Sequence, residues 1–173
     1  MRFLSRCSPR SALVALGLVL WSVPGHARAQ EHHAPEGEPL AIVVNRANPL
    51  SDVSLADLRR IYRGQRARWP NGRRVTLVMR DAGTPERDAI LQSLYRLDED
   101  EYHRGFLQSV FTGEASDAPK TLATSSGVLR FVFNVPGAIG YVRASEADTS
   151  VKTLRVEGRL PGEPGYRLEV PAP

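Results

Sequence analysis

The sequence is poor in the residues that carry most chemistry. Of its 173 residues one is cysteine, four are histidine, and aromatic side chains make up 7%. The single cysteine, Cys7, lies in the first segment, ahead of an apolar run. The chain beyond that segment therefore has no disulfide, no thiolate metal centre and no cysteine nucleophile. A lipid-attachment cysteine would close such a run rather than precede it. Long apolar runs are scarce too: no later segment is apolar enough to cross a bilayer, so no membrane insertion is expected. An excess of one charge is also lacking once the first segment is set aside.

Residues 1–29 contain Arg2, Arg6, Arg10 and Arg28 and no acid. Ala12 to Trp21 is apolar but too short to span a membrane, and Ala27-Arg28-Ala29 puts small residues just before Gln30. This order reads as a secretory signal peptide over 1–29. Removing those four arginines from the 23 Lys+Arg leaves 19, facing 19 Asp+Glu. A nearly neutral exported chain offers no field for nucleic acid. The expected location is the periplasm. Gln30 to Pro39, "QEHHAPEGEP", is polar, holds two prolines and has no periodicity, so it reads as a flexible leader over 30–39. His32 and His33 lie in it; adjacent histidines without a spaced partner are a weak metal signal, and no metal or cofactor is expected. Roughly 140 residues remain, enough for one core.

"LAIVVN", 40–45, reads as a buried strand. Ser54 with Asp57 starts a helix that puts Leu55, Leu58, Ile61 and Tyr62 on one face and stops at Gly64. "RVTLVMR", 74–80, is a second strand. Pro85 to Leu97 is a helix with Ile90, Leu91, Leu94 and Tyr95 inward, and a further helix starts at Asp98 with acids in its first turn. "EASDAPKT" reads as loop. "TSSGVLRFVFNV" reads as a helix capped by Ser125 or Ser126, followed by the turn and strand of "PGAIGYV". "VKTLRV", 151–156, is a last strand, and the Pro- and Gly-rich tail from about 157 reads as irregular. Strands apolar on both faces alternating with helices predict a three-layer α/β/α sandwich. Such sheets bind ligands at the carboxyl ends of their strands, near helix N-termini.

The turn "RDAGTPER" lies at such a place. Arg80 closes a strand and could grip an oxyanion in bidentate fashion. Gly83 permits a tight turn, Thr84 offers a hydroxyl, and first-turn amides point outward. Arg87, Ser125 and Ser126 could assist. The same residues also read as an ordinary helix start: Thr84 as cap, Pro85 at the first position, Glu86 in the first turn. Pro85 has no N–H to give, and Glu86 opposes an anion. The basic loop of Arg63, Arg66, Arg68, Arg73 and Arg74 around Trp69 could contact an acidic partner, or be a solvated loop with the tryptophan packed beneath it. No nucleophile, base or metal set for an enzyme stands out.

Three stretches, "IVVNRANPLSDVSLADLRRIYRGQRARWPNGRRV", "VMRDAGTPER" and "NVPGAIGYV", in this order resemble the phosphate-binding-protein-like family, over residues 40 to 156. These are solute-binding proteins of phosphate ABC transporters, with the type II periplasmic-binding fold. The resemblance implies a single lobe of that fold, a non-enzymatic binding role and a transporter or periplasmic protein as partner. It places the family's anion-binding arginine at Arg80 and the first hydroxyl of its binding turn at Thr84. The turn's glycine falls on Pro85 and its second hydroxyl on Glu86, so phosphate or a similar oxyanion is expected to bind weakly. Strands 40–45 and 139–143 would be the pair that crosses between lobes, here free to join this domain's own sheet or another chain. The alternative is a protein-interaction module with its contact at Arg66, Arg68, Trp69 and Arg73.

Overall fold

A strand with no polar face needs cover on both sides, and the sheet of this protein is covered in that way. The computed structural model describes residues 37–111 and 118–172. The expected signal peptide with Cys7, and the leader up to Glu36 with His32 and His33, lie outside the described residues. In chain order the elements are β1 (Glu38–Val44), β2 (Asp52–Val53), α1 (Leu55–Tyr62), β3 (Thr76–Arg80), α2 (Pro85–Ile90) running into a π turn (Leu91–Tyr95), α3 (Glu99–Phe111), β4 (Lys120–Leu122), α4 (Ser125–Asn134), β5 (Ala138–Arg143), a 3-10 turn (Ala144–Glu146), β6 (Lys152–Thr153), β7 (Arg155–Val156) and β8 (Glu169–Val170).

The main sheet runs β4-β3-β5-β1-β6, with β8 also paired to β1. β3 is parallel to both β4 and β5, whereas β1 is antiparallel to β5, β6 and β8. Alternation along each strand divides the core. Leu40, Ile42 and Val44 of β1, with Ile139 and Tyr141 of β5, join Leu58, Ile61, Ile90, Leu91 and Leu94 on one face. Ala41, Val43, Ala138 and Val142 join Val128, Leu129 and Val132 of α4 on the other. The result is the three-layer α/β/α arrangement, with β1 and β5 at the centre of the domain's own sheet.

Helix starts follow local chemistry. Ser54 Oγ accepts the Asp57 amide at 3.0 Å and donates to Asp57 Oδ2 at 2.9 Å. Asp98 and Glu101 exchange side-chain bonds with each other's amides at 2.7 and 3.1 Å, opening α3. At α4 the cap is Thr124, one residue earlier than the first of the expected serines: its Oγ1 accepts the Gly127 amide at 3.1 Å.

Other expectations need correction as well. The helix expected over 85–97 passes at Leu91 into a π turn that ends on Arg96, in the left-handed region at φ 59°. The strand expected over 151–156 is two: β6 pairs with β1, then the chain turns at buried Leu154 and β7 pairs in parallel with β2. β4 begins within the stretch read as loop; it is a short edge strand with little burial, so no apolar pattern marks it. The tail is turn-rich but anchored, with Tyr166, Leu168 and Val170 in the core and the Tyr166 hydroxyl donating to Leu40 O at 2.6 Å. β1 also begins inside the expected leader, at Glu38.

Gly137 explains why its stretch stands out in the sequence. Its carbonyl accepts both the Thr76 amide and the Trp69 indole N–H at 2.9 Å. A Cβ on Gly137 would lie 2.1 Å from the Arg74 carbonyl oxygen, so backbone meets backbone there. Gly137→Ala is expected to lower stability in urea unfolding by about 1–3 kcal/mol, the range for overpacking. Gly105→Ala, in α3 with open space at its Cβ, should instead raise it by up to about 1 kcal/mol through helix propensity.

Candidate functional site

β3 and β5 are parallel and each ends in an arginine, Arg80 and Arg143, so both guanidiniums are delivered to one end of the sheet. The antiparallel β1 brings its first residue, Glu38, to the same end, and α2 and α4 start just after the parallel strands β3 and β4. This is the carboxyl end of the parallel strands, where ligand sites of such sheets form.

Arg80 is half-buried. Its amide donates to the Tyr141 hydroxyl at 3.0 Å; burial raises that phenol's pKa, so it stays neutral. Its Nη1 donates to Ser125 Oγ at 2.6 Å and its Nη2 to the Ala123 carbonyl at 3.0 Å. Arg80 Nε is buried and has no partner. Among the described residues no carboxylate forms an ion pair with Arg80: its partners are neutral.

The other arginines are paired. Arg87 is 8% exposed and bidentate to Glu99, with both N···O distances 2.7 Å. Its Nη1 donates to Arg80 O at 3.0 Å, and its guanidinium lies 5.3 Å from the centre of the Tyr102 ring. Burial works against this charge, but Glu99 outweighs it and the Arg87 pKa rises. Arg143 donates through Nε to Glu86 Oε1 at 2.5 Å and through Nη1 to Glu38. Glu86 is 5% exposed. Burial disfavours its ionised form, yet the Arg143 hydrogen bond and the Arg80 charge hold its pKa below the ordinary value. Glu38 is held low by the Ser145 hydroxyl and by Arg143.

Ser125 links the two arginine systems. It accepts from Arg80 and donates to Glu146 Oε2 at 2.6 Å, and the same oxygen accepts the Arg143 amide at 3.3 Å. Of the residues expected at the site, Arg80 and Ser125 are in contact and Arg87 meets Arg80 through its carbonyl. Ser126 is exposed beside Thr124, 3.2 Å between hydroxyl oxygens. Thr84 turns its hydroxyl back to Asp81 O at 2.9 Å and makes no side-chain cap bond. Gly83 has φ 78° and open space around it. Arg143, Glu38 and Glu146 are new to the site. The signal for Arg143 is visible in hindsight: "GYVR" closes an apolar strand as "LVMR" does.

In the basic loop Trp69 is 2% exposed and sits in the core, beneath the loop. Arg68 donates to Gly72 O at 2.8 Å and Arg66 lies 3.7 Å from Asp57; Arg73 is exposed. Among the described residues no group of three or more His, Cys, Asp or Glu could hold a metal ion, and no helix is long and apolar enough to cross a membrane.

Solved structures share this fold over part of their length. A phosphate-transport receptor of the ABC type from Vibrio cholerae is similar at 26% identity and TM-score 0.59, over 73% of this chain and 49% of the receptor. The chain has the fold of the phosphate-binding-protein-like family. A putative phosphate ABC transporter substrate-binding protein with bound phosphate, from Clostridium perfringens, matches the chain at 23% identity and TM-score 0.57, over 71% and 46% of the two chains. PstS from Borrelia burgdorferi matches at 14% and TM-score 0.63, over 78% and 55%. The chain thus spans about half the length of these receptors. No family model and no curated protein matches it.

The depressed carboxylates fix a pH response. A carboxylate whose pKa is lower folded than unfolded contributes stability above the unfolded value and loses it as pH falls through the folded one. Stability is therefore expected to drop below about pH 4.3, the unfolded Glu value. Glu86→Gln should be less stable at neutral pH and show a shallower acid limb, measured by urea unfolding from pH 3 to 7.

Proposed function

We propose that this chain is an exported, non-enzymatic solute-binding-like protein. It would hold phosphate or a similar small oxyanion weakly, and act in the periplasm as an accessory to an ABC phosphate transporter. The site would be Arg80 with the start of α4, Ser125 and Ser126; Gly83, Thr84 and Arg87 would border it. One observation carries this reading: the guanidinium of Arg80 has only neutral partners, Ser125 Oγ and the Ala123 carbonyl. A cation without a counter-ion beside a ten-residue helix start is what an oxyanion needs. The likeness to receptors of phosphate transport supports a small oxyanion as the ligand.

Its weakness comes from the neighbouring acids. Glu146 takes a hydrogen bond from Ser125, Glu99 holds Arg87, and Glu86 sits close enough to feel the Arg80 charge. A ligand would have to displace or tolerate these carboxylates.

Those engaged donors favour a second reading, a protein-interaction module on a receptor scaffold. Its contact would be the arginines of the basic loop, Arg66, Arg68 and Arg73, since buried Trp69 can only support them.

Calorimetry with inorganic phosphate on the purified chain separates the two. Binding in the millimolar range, lost in Arg80→Ala with the fold intact by circular dichroism, is the expected result. No heat and no thermal shift at millimolar phosphate would end the first reading and leave the second.

A further inference from the structure

We infer that the groove between α1, α3 and the first half of β3 is a second binding site, built for a small amphiphilic anion: an apolar body, aliphatic or aromatic, ending in one carboxylate or sulfonate. The groove encloses about 450 Å³, within the range of small-molecule pockets. Its walls are Ile61, Leu77 and Leu97 with the rings of Tyr95, Tyr102 and Phe106. Arg63, Arg66 and Arg74 also line it, and among the described residues no Asp or Glu does. The site is separate from the one above. It meets β3 at Thr76 and Leu77, whereas Arg80 ends the strand.

The charge pattern selects the ligand class. Arg63 is fixed by donating to Tyr95 O at 2.9 Å, a neutral partner. Arg66 lies 3.7 Å from Asp57, which also lies 3.6 Å from Arg60, so one carboxylate is divided between two guanidiniums. Arg74 keeps an interaction of its own. Arg63 and the part of the Arg66 charge that Asp57 leaves uncompensated thus make this wall positive, and a single negative group is matched there. An inorganic oxyanion could use the arginines but would gain nothing from the apolar wall. A neutral apolar molecule would gain from the wall and not from the arginines.

Gly105 adds an independent argument. It lines the groove from within α3, and a Cβ there would meet nothing within 4 Å. Glycine inside a helix costs about 1 kcal/mol against alanine. Neither positive φ nor close packing requires it here. What its missing side chain provides is room.

Anilinonaphthalene sulfonate is the probe, followed by fluorescence on the purified full chain, with decanoate, decanol and phosphate as competitors. Saturable binding at one site is expected, displaced by decanoate and not by phosphate. Gly105→Leu, which fills the groove, should weaken the probe by at least about tenfold, while its melting temperature stays level or rises. Arg66→Ala should weaken decanoate and leave decanol unchanged. Non-saturable fluorescence, displacement by phosphate, or unaltered affinity in a folded Gly105→Leu variant would each overturn the assignment.

Discussion

The antiparallel pairing of β1 with β5 is the constraint on which the rest of the structure depends. It runs from Leu40 opposite Arg143 to Val44 opposite Ile139, and every residue of those pairs except Arg143 is buried. A slip of one residue would turn each side chain to the opposite face. Gly140 makes such a slip impossible to absorb. A Cβ built there would lie 2.9 Å from Val128 and 3.4 Å from Val78, so α4 packs against bare backbone. Sliding Tyr141 into that place would drive a phenol into α4. The register is therefore enforced by sterics as well as by hydrogen bonds.

That register also builds the charged end of the sheet. With Tyr141 on the face of α1 and α2, its hydroxyl reaches the Arg80 amide on the neighbouring parallel strand. With Leu40 opposite Arg143, Glu38 falls within reach of the Arg143 guanidinium and Ser145. The short turn after β5 then returns Glu146 to Ser125 and the Arg143 amide. No residue of this network is close to all its partners in sequence: Arg143 and Glu38 are 105 apart, Arg80 and Ser125 are 45 apart. The site exists only once the central strands have paired.

This dependence on pairing separates the legible parts of the chain from the rest. β1, β3 and β5 are long apolar runs, and α1 carries its own cap and stop signals, so each is legible locally. Arg80 is legible because it closes such a run. β2, β4, β6 and β7 have two or three residues each, set by pairing rather than by pattern. The α4 cap is ambiguous in the sequence because Thr124, Ser125 and Ser126 are all competent caps, and only the backbone decides among them. Arg143 closes an apolar run as well, whereas Glu38 and Glu146 escape a reading of the sequence because a lone charged residue carries no signal until its neighbours are known. Trp69 reads either as a contact residue of the basic loop or as packed beneath it, and the structure packs it beneath, its indole N–H claimed by Gly137 O, a partner 68 residues away.

Charge, rather than the shape of the turn, sets how much an anion can gain at the Arg80 end. Three guanidiniums are held there. Arg87 is neutralised by Glu99, and Arg143 is shared between Glu86 and Glu38. Breaking either pair for a ligand would strand a partly buried carboxylate, and removing one partner of such a pair costs more than the pair itself contributes. Arg80 alone can be lent, because its present partners are a hydroxyl and a carbonyl and lose little when it turns. Yet Glu146 is one hydroxyl away through Ser125, and Glu86 already feels the Arg80 field. Each further negative charge on a ligand therefore adds attraction to one arginine and repulsion from two glutamates. An oxyanion bound there as proposed would therefore be favoured singly charged over multiply charged.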